Sequence, residues 1–124
     1  MTIKSVAEIL DAEIICGKEN MDFEIEAACG SDLMSDVMAF VKDPALLLTG
    51  LINVQVIRTA NLMDIGAVCF IRGKMPNQEM IQMAEEFGIV LLATDLLMFP
   101  ACGKLYEAGI RGGSHADMQS DGEK

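Results

Sequence analysis

The chain has 124 residues, 52 % of them hydrophobic, and this length suits one domain with a buried core. Its nineteen acidic and nine basic residues give a formal net charge of −10, which disfavours nucleic acids and anionic membranes as partners. No apolar run approaches the roughly 18 residues that cross a bilayer, and acidic residues interrupt the N-terminal segment, so we predict a cytoplasmic protein without a membrane span or signal peptide.

The N-terminal third predicts two helices and two strands. Ser5 and Glu8 match a capping box at the start of a helix, and Gly17 ends the strand that follows. Apolar and charged residues alternate over 23–27, which is typical of a strand at a sheet edge or with an antiparallel partner. A second helix follows the cap-like segment 30–32. The predicted elements are a helix over 5–10, strands over 13–16 and 23–27, and a helix over 33–41.

Three uninterrupted apolar runs in the rest of the chain predict strands that are buried on both faces. They cover 46–48, 67–71 and 89–93. A helix follows each of them: Asn53 and the pair Thr94-Asp95 are predicted N-caps, and Pro76-Asn77 opens the middle helix. Gly88 is the predicted left-handed C-cap of the middle one.

The order of these elements predicts an α/β fold, because strands that alternate with helices form parallel crossover units. We predict a three-layer α/β/α sandwich with a mixed, mostly parallel sheet of about five strands. The three uninterrupted strands would form its parallel centre, and the two N-terminal strands a mixed edge. Residues 1–110 would form a single domain, and the Gly- and Ser-rich residues 111–124 a disordered polar tail.

The cysteines and methionines bear on cofactors and assembly. Cys16, Cys29, Cys69 and Cys102 lie far apart without a C-x-x-C spacing, and His115 in the tail is the only histidine of the chain. This pattern predicts free, buried thiols in a reducing compartment, with no metal and no cofactor. Ten methionines and a high apolar fraction favour an oligomer with a covered apolar face, and we predict a homodimer.

The residues that follow the predicted strands form the candidate ligand site, because ligands of open α/β sheets bind at the carboxyl ends of the strands. They combine small residues with hydroxyl, amide or charged side chains, and Arg72 or Lys74 would supply the charge that holds a small anion. The alternative is helix capping alone, which requires the same residue types. The candidate residues are Ser31, Thr49, Gly50, Asn53, Arg72, Gly73, Lys74, Thr94 and Asp95.

Other polar residues support weaker interpretations. Arg58 stands among apolar neighbours in its helix, where it would pair with Asp64 or Asp36 or lie in a subunit interface. The candidate interface residues are Arg58, Met63 and Met98. Asp32 and Asp36 lie one helical turn apart and would either hold a divalent ion or, as we favour, form a solvated face. Because no base or phosphate-binding motif accompanies the site, we assign no catalytic residue and predict that the protein is not an enzyme.

Five segments of the sequence resemble the DRTGG domain. They are residues 35–41, 47–51, 55–60, 68–74 and 98–109, and the likeness extends over about residues 3–110. The motif that names the family is absent, and Thr49-Gly50-Leu51-Ile52 occupies the corresponding turn. The resemblance implies a fold similar to the N-terminal domain of HPr kinase/phosphorylase, without kinase chemistry. DRTGG domains also occur fused to phosphotransacetylase or CBS pairs, and alone near iron hydrogenase genes.

These observations lead to one functional prediction and two alternatives. We predict a non-catalytic regulatory module of energy or hydrogen metabolism that binds a small anionic metabolite or nucleotide, a partner enzyme, or both, as a homodimer. In the first alternative it is a pure assembly subunit of a redox enzyme system, and the site residues only cap helices. In the second it is an acyl- or phosphoryl-transfer enzyme, which would require His115 or a paired carboxylate against the site.

Overall fold

Five helices and five strands alternate through most of the chain in a computed structural model that describes residues 1–41 and 44–112. A short 3₁₀ turn, Lys18–Asn20, follows the first strand. The helices are α1 (Ile3–Leu10), α2 (Met34–Phe40), α3 (Val54–Leu62), α4 (Gln78–Phe87) and α5 (Met98–Glu107). The strands are β1 (Glu13–Cys16), β2 (Ala27–Gly30), β3 (Ala45–Thr49), β4 (Ala67–Phe70) and β5 (Val90–Ala93).

The strands form one mixed sheet in the order β1-β5-β4-β3-β2. β2, β3, β4 and β5 are parallel, and β1 is antiparallel to β5. α1 and α5 pack on one face of the sheet, and α2, α3 and α4 on the other. This arrangement confirms the predicted three-layer α/β fold with a five-stranded, mostly parallel sheet.

The two N-terminal strands do not share an edge, so that part of the prediction is wrong. β1 and β2 lie at opposite edges, and β2 is parallel to β3. The reason is that β2 and β3 are joined through α2, and a helical connection brings the second strand back parallel to the first.

The central strands are buried as predicted. All five residues of β3 are buried, and Leu46 and Leu48 belong to the core under α1 and α5, whereas Leu47 belongs to the core under α2, α3 and α4. Alternate residues of a strand point to opposite faces, so a sheet with helices on both sides requires apolar residues at every position.

The N-terminal segment begins its helix earlier than predicted. The Thr2 hydroxyl accepts a hydrogen bond from the Ser5 amide at 3.1 Å and caps α1, so the predicted capping box of Ser5 and Glu8 is wrong. The predicted strand over 23–27 is also displaced, because its first residues hydrogen-bond to the N-terminus: the Ile3 amide donates to the Phe23 carbonyl at 3.0 Å. Regular pairing in the sheet starts only at Ala27.

The predicted N-cap Asn53 is confirmed, as is the helix start at Pro76-Asn77, and the predicted N-cap Thr94-Asp95 is wrong. The Asn53 carboxamide accepts from the Gln55 amide at 2.7 Å, and that of Asn77 from the Met80 amide at 2.9 Å. Gly88 ends α4 in the left-handed conformation, with φ 73°. Thr94-Asp95 does not cap a helix, because α5 begins only at Met98, after Leu97.

The ordered backbone continues past Ile110, where the predicted domain ends. The carbonyl of Arg111 accepts a hydrogen bond from the Ala28 amide at 3.0 Å and so extends the pairing of the edge strand β2. Residues 113–124 of the predicted tail, and with them His115, lie outside the described residues. None of the described helices combines the length and the apolar character that crossing a membrane requires.

Candidate functional site

The turn after β3 is held by the carboxylate of Asp32. Its Oδ1 atom accepts hydrogen bonds from the Gly50 amide at 2.7 Å and from the Thr49 hydroxyl at 3.0 Å. The Thr49 side chain is fully buried and itself accepts from the Leu51 amide at 3.2 Å. α2 begins only at Met34, so Asp32 does not share a helix face with Asp36, and the predicted helical pair is wrong.

The turn after β4 has an unusual backbone. Arg72 has φ 60° and Gly73 has φ 71°, so two consecutive residues are left-handed. The Arg72 amide donates to the Leu96 carbonyl at 2.8 Å, and the Gly73 amide to the Thr94 carbonyl at 3.0 Å, which fixes the turn against the end of β5. Arginine costs roughly 1–3 kcal/mol in this conformation, and such strain concentrates at functional sites.

The guanidinium of Arg72 lies directly over Gly50. A Cβ atom at position 50 would overlap it, and would stand only 3.0 Å from its Cζ and Nε atoms. Within residues 1–41 and 44–112, the guanidinium has no hydrogen-bond or ion-pair partner, and the ion pair that does form joins the N-terminal ammonium to Glu24. An exposed and unpaired guanidinium is therefore available to an anion.

The turn after β5 is acidic. Thr94 is buried, and its hydroxyl donates to the Leu10 carbonyl at 2.7 Å, whereas Asp95 is exposed, with Oδ1 3.3 Å from where a Cβ on Gly73 would lie. A cavity of about 200 Å³ opens beside them. Its lining includes the acidic residues Asp11, Glu13 and Asp95, so this cavity disfavours an anion.

The structure thus brings the predicted strand-end turns together, but their side chains have different roles. The Ser31 hydroxyl accepts from the Leu33 amide at 3.0 Å, and Asn53 caps α3, so both act within local turns. Thr49 and Thr94 are likewise used internally. Lys74 is exposed and, in the part of the chain that the structure describes, makes no ion pair. The side chains left for a ligand are those of Arg72, Lys74 and Asp95.

The interface candidates are mostly engaged within the chain. Arg58 is exposed on α3 and, over the described residues, forms no ion pair with Asp64 or Asp36, so the predicted pair is wrong. Met63 and Met98 are half-buried and pack against the two cores. The large apolar side chains that are exposed are Phe23, Leu33, Met38, Leu62, Met75, Phe87, Leu97, Phe99 and Tyr106.

Sequence reasoning missed a groove of about 240 Å³ between β2 and α5. At one wall the guanidinium of Arg111 stacks on the ring of Tyr106, with 3.8 Å from Cζ to the ring centroid. It also donates to the main-chain carbonyls of Tyr106 at 3.1 Å and Ile110 at 3.0 Å. The groove is lined by Ala28, Gly30, Leu48, Cys102, Leu105, Tyr106, Ile110, Arg111 and Gly112.

The thiols are protonated at neutral pH. Burial raises the pKa of all four cysteines, and that of the Cys69 thiol to about 12. In the described residues, no group of three or more His, Cys, Asp or Glu side chains is arranged to hold a metal ion. Nucleophilic or metal-binding chemistry requires the thiolate, so these thiols are suited to packing.

The raised pKa of Cys69 predicts a loss of stability at alkaline pH. A pKa that is higher in the folded than in the unfolded state means that Cys69 keeps its proton to a higher pH when the protein is folded. The contribution of this thiol to the free energy of unfolding is therefore complete below about pH 8.5 and disappears as the pH rises towards 12. The free energy of unfolding should fall by at most about 1.4 kcal/mol per pH unit over that range. Denaturation of wild type and Cys69→Ala at several pH values checks this, since the wild type should show the steeper slope; equal slopes would contradict it.

Comparisons with known proteins give a fold relationship only. No protein-family model matches the chain, and no curated protein matches it. Among solved structures, it is similar to the CBS and DRTGG domains of the regulatory region of Clostridium perfringens pyrophosphatase, complexed with its activator, diadenosine tetraphosphate. The TM-score is 0.69 at 15 % sequence identity, over 84 % of this chain and 45 % of the other. The chain therefore has the fold of part of a regulatory region and spans less than half of that neighbour's length.

Proposed function

We propose that this protein is a non-catalytic regulatory module that binds a small anionic metabolite or a nucleotide beside Arg72. The observation that carries this proposal is the Arg72 guanidinium itself. It is exposed and lies over Gly50, and the Arg72 backbone adopts a conformation that arginine rarely takes. Although the chain carries nineteen acidic residues, none of those described pairs with it.

The arrangement around Arg72 suits recognition of an anion and not catalysis on it. Lys74 lies two residues away and adds a second positive charge, while the acidic cavity at Asp95 limits the anion to the side of the turn near Gly50. The nearest carboxylate of the β3 turn, that of Asp32, already accepts two hydrogen bonds and serves the backbone.

The solved neighbour supports a regulatory role. It is a regulatory region in complex with a nucleotide activator, and it contains a DRTGG domain. We propose that this chain is a relative of that domain and that it acts as a homodimer on a metabolic enzyme of energy or hydrogen metabolism. The sequence resemblance to DRTGG domains and the shared fold both favour this interpretation.

Removal of the Arg72 charge should abolish most of the binding. Arg72→Asn is the suitable change, because asparagine tolerates the left-handed backbone. We expect adenosine monophosphate to bind the wild type and to bind this variant roughly 10- to 100-fold more weakly, since a hydrogen bond to a charged group contributes about 1.5–3 kcal/mol. Isothermal titration calorimetry measures both affinities, and thermal denaturation tests whether the variant is folded.

The matched control is Lys18→Ala, which removes one positive charge at the opposite end of the sheet. Lys18 is exposed, and it follows Gly17, which lies against Val90 at the start of β5. This variant should bind as the wild type does. Equal affinities for wild type and Arg72→Asn would contradict the proposed site.

The alternative of a pure assembly subunit is favoured by one observation. Leu97 and Phe99, at the start of α5, are 60 % and 89 % exposed, and Leu97 follows the residue whose carbonyl accepts from Arg72. No binding of any anionic probe, together with a dimer in light scattering that Phe99→Ser dissociates, would support assembly over ligand binding.

A further inference from the structure

We infer that two copies of this chain associate through α5, with the two helices packed antiparallel about a two-fold axis beside Gly103. This inference rests on the homodimer of the proposed function and names its surface. It is carried by a row of uncharged residues on the outer face of α5, Phe99, Gly103 and Tyr106, which we call the α5 stripe.

The α5 stripe faces away from the sheet. α5 buries Ala101 and Leu105 in the core under α1 and α5. Residues three and four apart fall on one face of a helix, so Phe99, Gly103 and Tyr106 form a row on the other side. Phe99 is 89 % exposed, and a Cβ atom on Gly103 would meet nothing within 4 Å. The described part of the chain therefore leaves most of this row to solvent.

The exposed aromatic area of the α5 stripe matches what a small stable interface needs. Phe99 and Tyr106, 89 % and 54 % exposed, leave roughly 300 Å² of side-chain surface per copy open to solvent. Small stable interfaces bury about 600 Å² per partner, of which a little more than half is apolar. The two rings thus supply most of the apolar area that each copy contributes, and the polar residues of α5 beside them would form the rim.

The α5 stripe is complementary to itself. In two antiparallel helices that cross at Gly103, Phe99 lies about 6 Å before the crossing point and Tyr106 about 4.5 Å after it, at 1.5 Å per residue. Phe99 of each copy therefore meets Tyr106 of the other, and this contact occurs twice, as a two-fold interface requires. Because the distance between packed helices depends on the side chains at the crossing, Gly103 lets them approach closely enough for the rings to touch.

Tyr106 is held in place before a second copy binds. The guanidinium of Arg111 stacks on its ring, with 3.8 Å from Cζ to the centroid, and donates to the main-chain carbonyls of Tyr106 and Ile110. A ring that is already fixed loses little conformational entropy on association. Tyrosine and arginine are also among the residue types that contribute most to the binding energy of protein interfaces.

The oligomeric state of the full chain gives the first test. Sedimentation equilibrium at micromolar concentration should show a dimer of the wild type. Gly103→Leu should raise the dissociation constant at least about 100-fold, because a large side chain at the crossing separates the helices. Its circular dichroism spectrum should stay that of a folded chain, since position 103 is open within one copy and leucine favours a helix more than glycine does.

The matched control places the same side chain on the other face of the sheet. Ala39 is exposed on α2, and Ala39→Leu should leave both the dissociation constant and the spectrum unchanged. A wild type that stays monomeric, or a dimer that Gly103→Leu leaves intact, would overturn the α5 interface.

Two charged variants test the antiparallel register. Phe99→Glu and Tyr106→Lys should each dimerise at least about 10-fold more weakly than the wild type, because each loses both ring contacts and brings charges to the interface. Mixed in equal amounts, they should form a heterodimer at least about 10-fold tighter than either homodimer. One Phe99–Tyr106 contact is then intact, and the introduced glutamate faces the introduced lysine. Native mass spectrometry distinguishes the three dimers, and variants that do not combine would overturn the register.

Failure of this interface and failure of the anion site have different signatures. A monomer that still binds adenosine monophosphate through Arg72 would overturn the α5 interface and leave the anion site standing. A dimer that Gly103→Leu dissociates, but that binds no anion, would support the α5 interface and contradict the anion site.

Discussion

Asp32→Ala should lower the free energy of unfolding by about 2–4 kcal/mol, although the residue is exposed and lies outside any helix or strand. Its carboxylate satisfies the Gly50 amide and the Thr49 hydroxyl, at 2.7 and 3.0 Å, and both of those residues are buried. Alanine would leave two donors without an acceptor, and each unsatisfied buried group costs about 1–3 kcal/mol. Chemical denaturation of the variant measures the loss.

Two further variants isolate the cause. Asp36→Ala removes an exposed carboxylate four residues later and should change stability by less than about 0.5 kcal/mol. Asp32→Asn retains an acceptor oxygen for the two donors, and we expect it to recover more than half of the loss. If Asp32→Ala and Asp36→Ala were equally stable, Asp32 would not hold the turn. The effect matters for function because this turn positions Gly50 under Arg72.

Gly17→Ala should destabilise the protein by about 2–5 kcal/mol. Gly17 has φ 90°, and a Cβ atom there would stand 2.9 Å from both the Cα and the Cγ2 of Val90. The left-handed backbone alone costs an alanine about 1–2 kcal/mol. The overlap adds about 1–3 kcal/mol, because the backbone of β5 is fixed in the centre of the sheet. Denaturant unfolding with an unchanged m-value would report this loss as one of stability alone.

Gly88→Ala is the matched control for this change. Gly88 is also left-handed, with φ 73°, but a Cβ atom there would meet nothing within 4 Å. Gly88→Ala should therefore lower the free energy of unfolding only by the cost of the left-handed backbone, about 1–2 kcal/mol. Losses of the same size at the two positions would show that Val90 moves aside freely and that close packing at Gly17 is unimportant.

The central layer of the fold follows directly from the sequence. The uninterrupted apolar runs around Leu47, Val68 and Leu91 predict strands that are buried on both faces, and such burial leaves parallel strands between two helical layers as the natural arrangement. The helix starts at Asn53 and Asn77 are also predictable, because a cap acts on the next few amides and needs no tertiary context.

The errors in the N-terminal segment have a common physical cause. At the N-terminus, Thr2 and Ser5 both have capping side chains, and tertiary hydrogen bonds to Phe23 and Ile25 select the earlier start of α1. The strand expected over 23–27 is used for that pairing, so the edge strand begins at Ala27. The local sequence pattern does not encode with which of two equivalent hydrogen-bonding partners a segment pairs in the folded chain.

The candidate site could be located from the sequence, but the roles of its residues could not. Polar residues at strand ends serve as helix caps, turn supports or ligand contacts, and their side-chain chemistry is the same in each role. Asp32 and Thr94 prove to be turn supports, with partners 17–18 and 84 residues away. Arg72 emerges as a candidate ligand contact only because the structure shows that no described residue pairs with its guanidinium.

The groove was beyond sequence reasoning for a related reason. Arg111 opens a Gly- and Ser-rich segment, which by composition predicts a tail. Its backbone nevertheless pairs with the edge strand, and its guanidinium stacks on Tyr106, five residues earlier. Arg111 is thus placed by its pairing with β2, which its local composition does not encode.

The central claim is that an anion binds beside the Arg72 guanidinium, and the most direct test is NMR chemical-shift mapping. Isotope-labelled protein is titrated with adenosine monophosphate, and the backbone amide signals are followed. We predict that the largest saturable shifts occur at Gly50, Arg72 and Gly73, and that Arg72→Asn removes them. Unchanged signals at these three amides, with saturable shifts clustered elsewhere or absent, would contradict the claim.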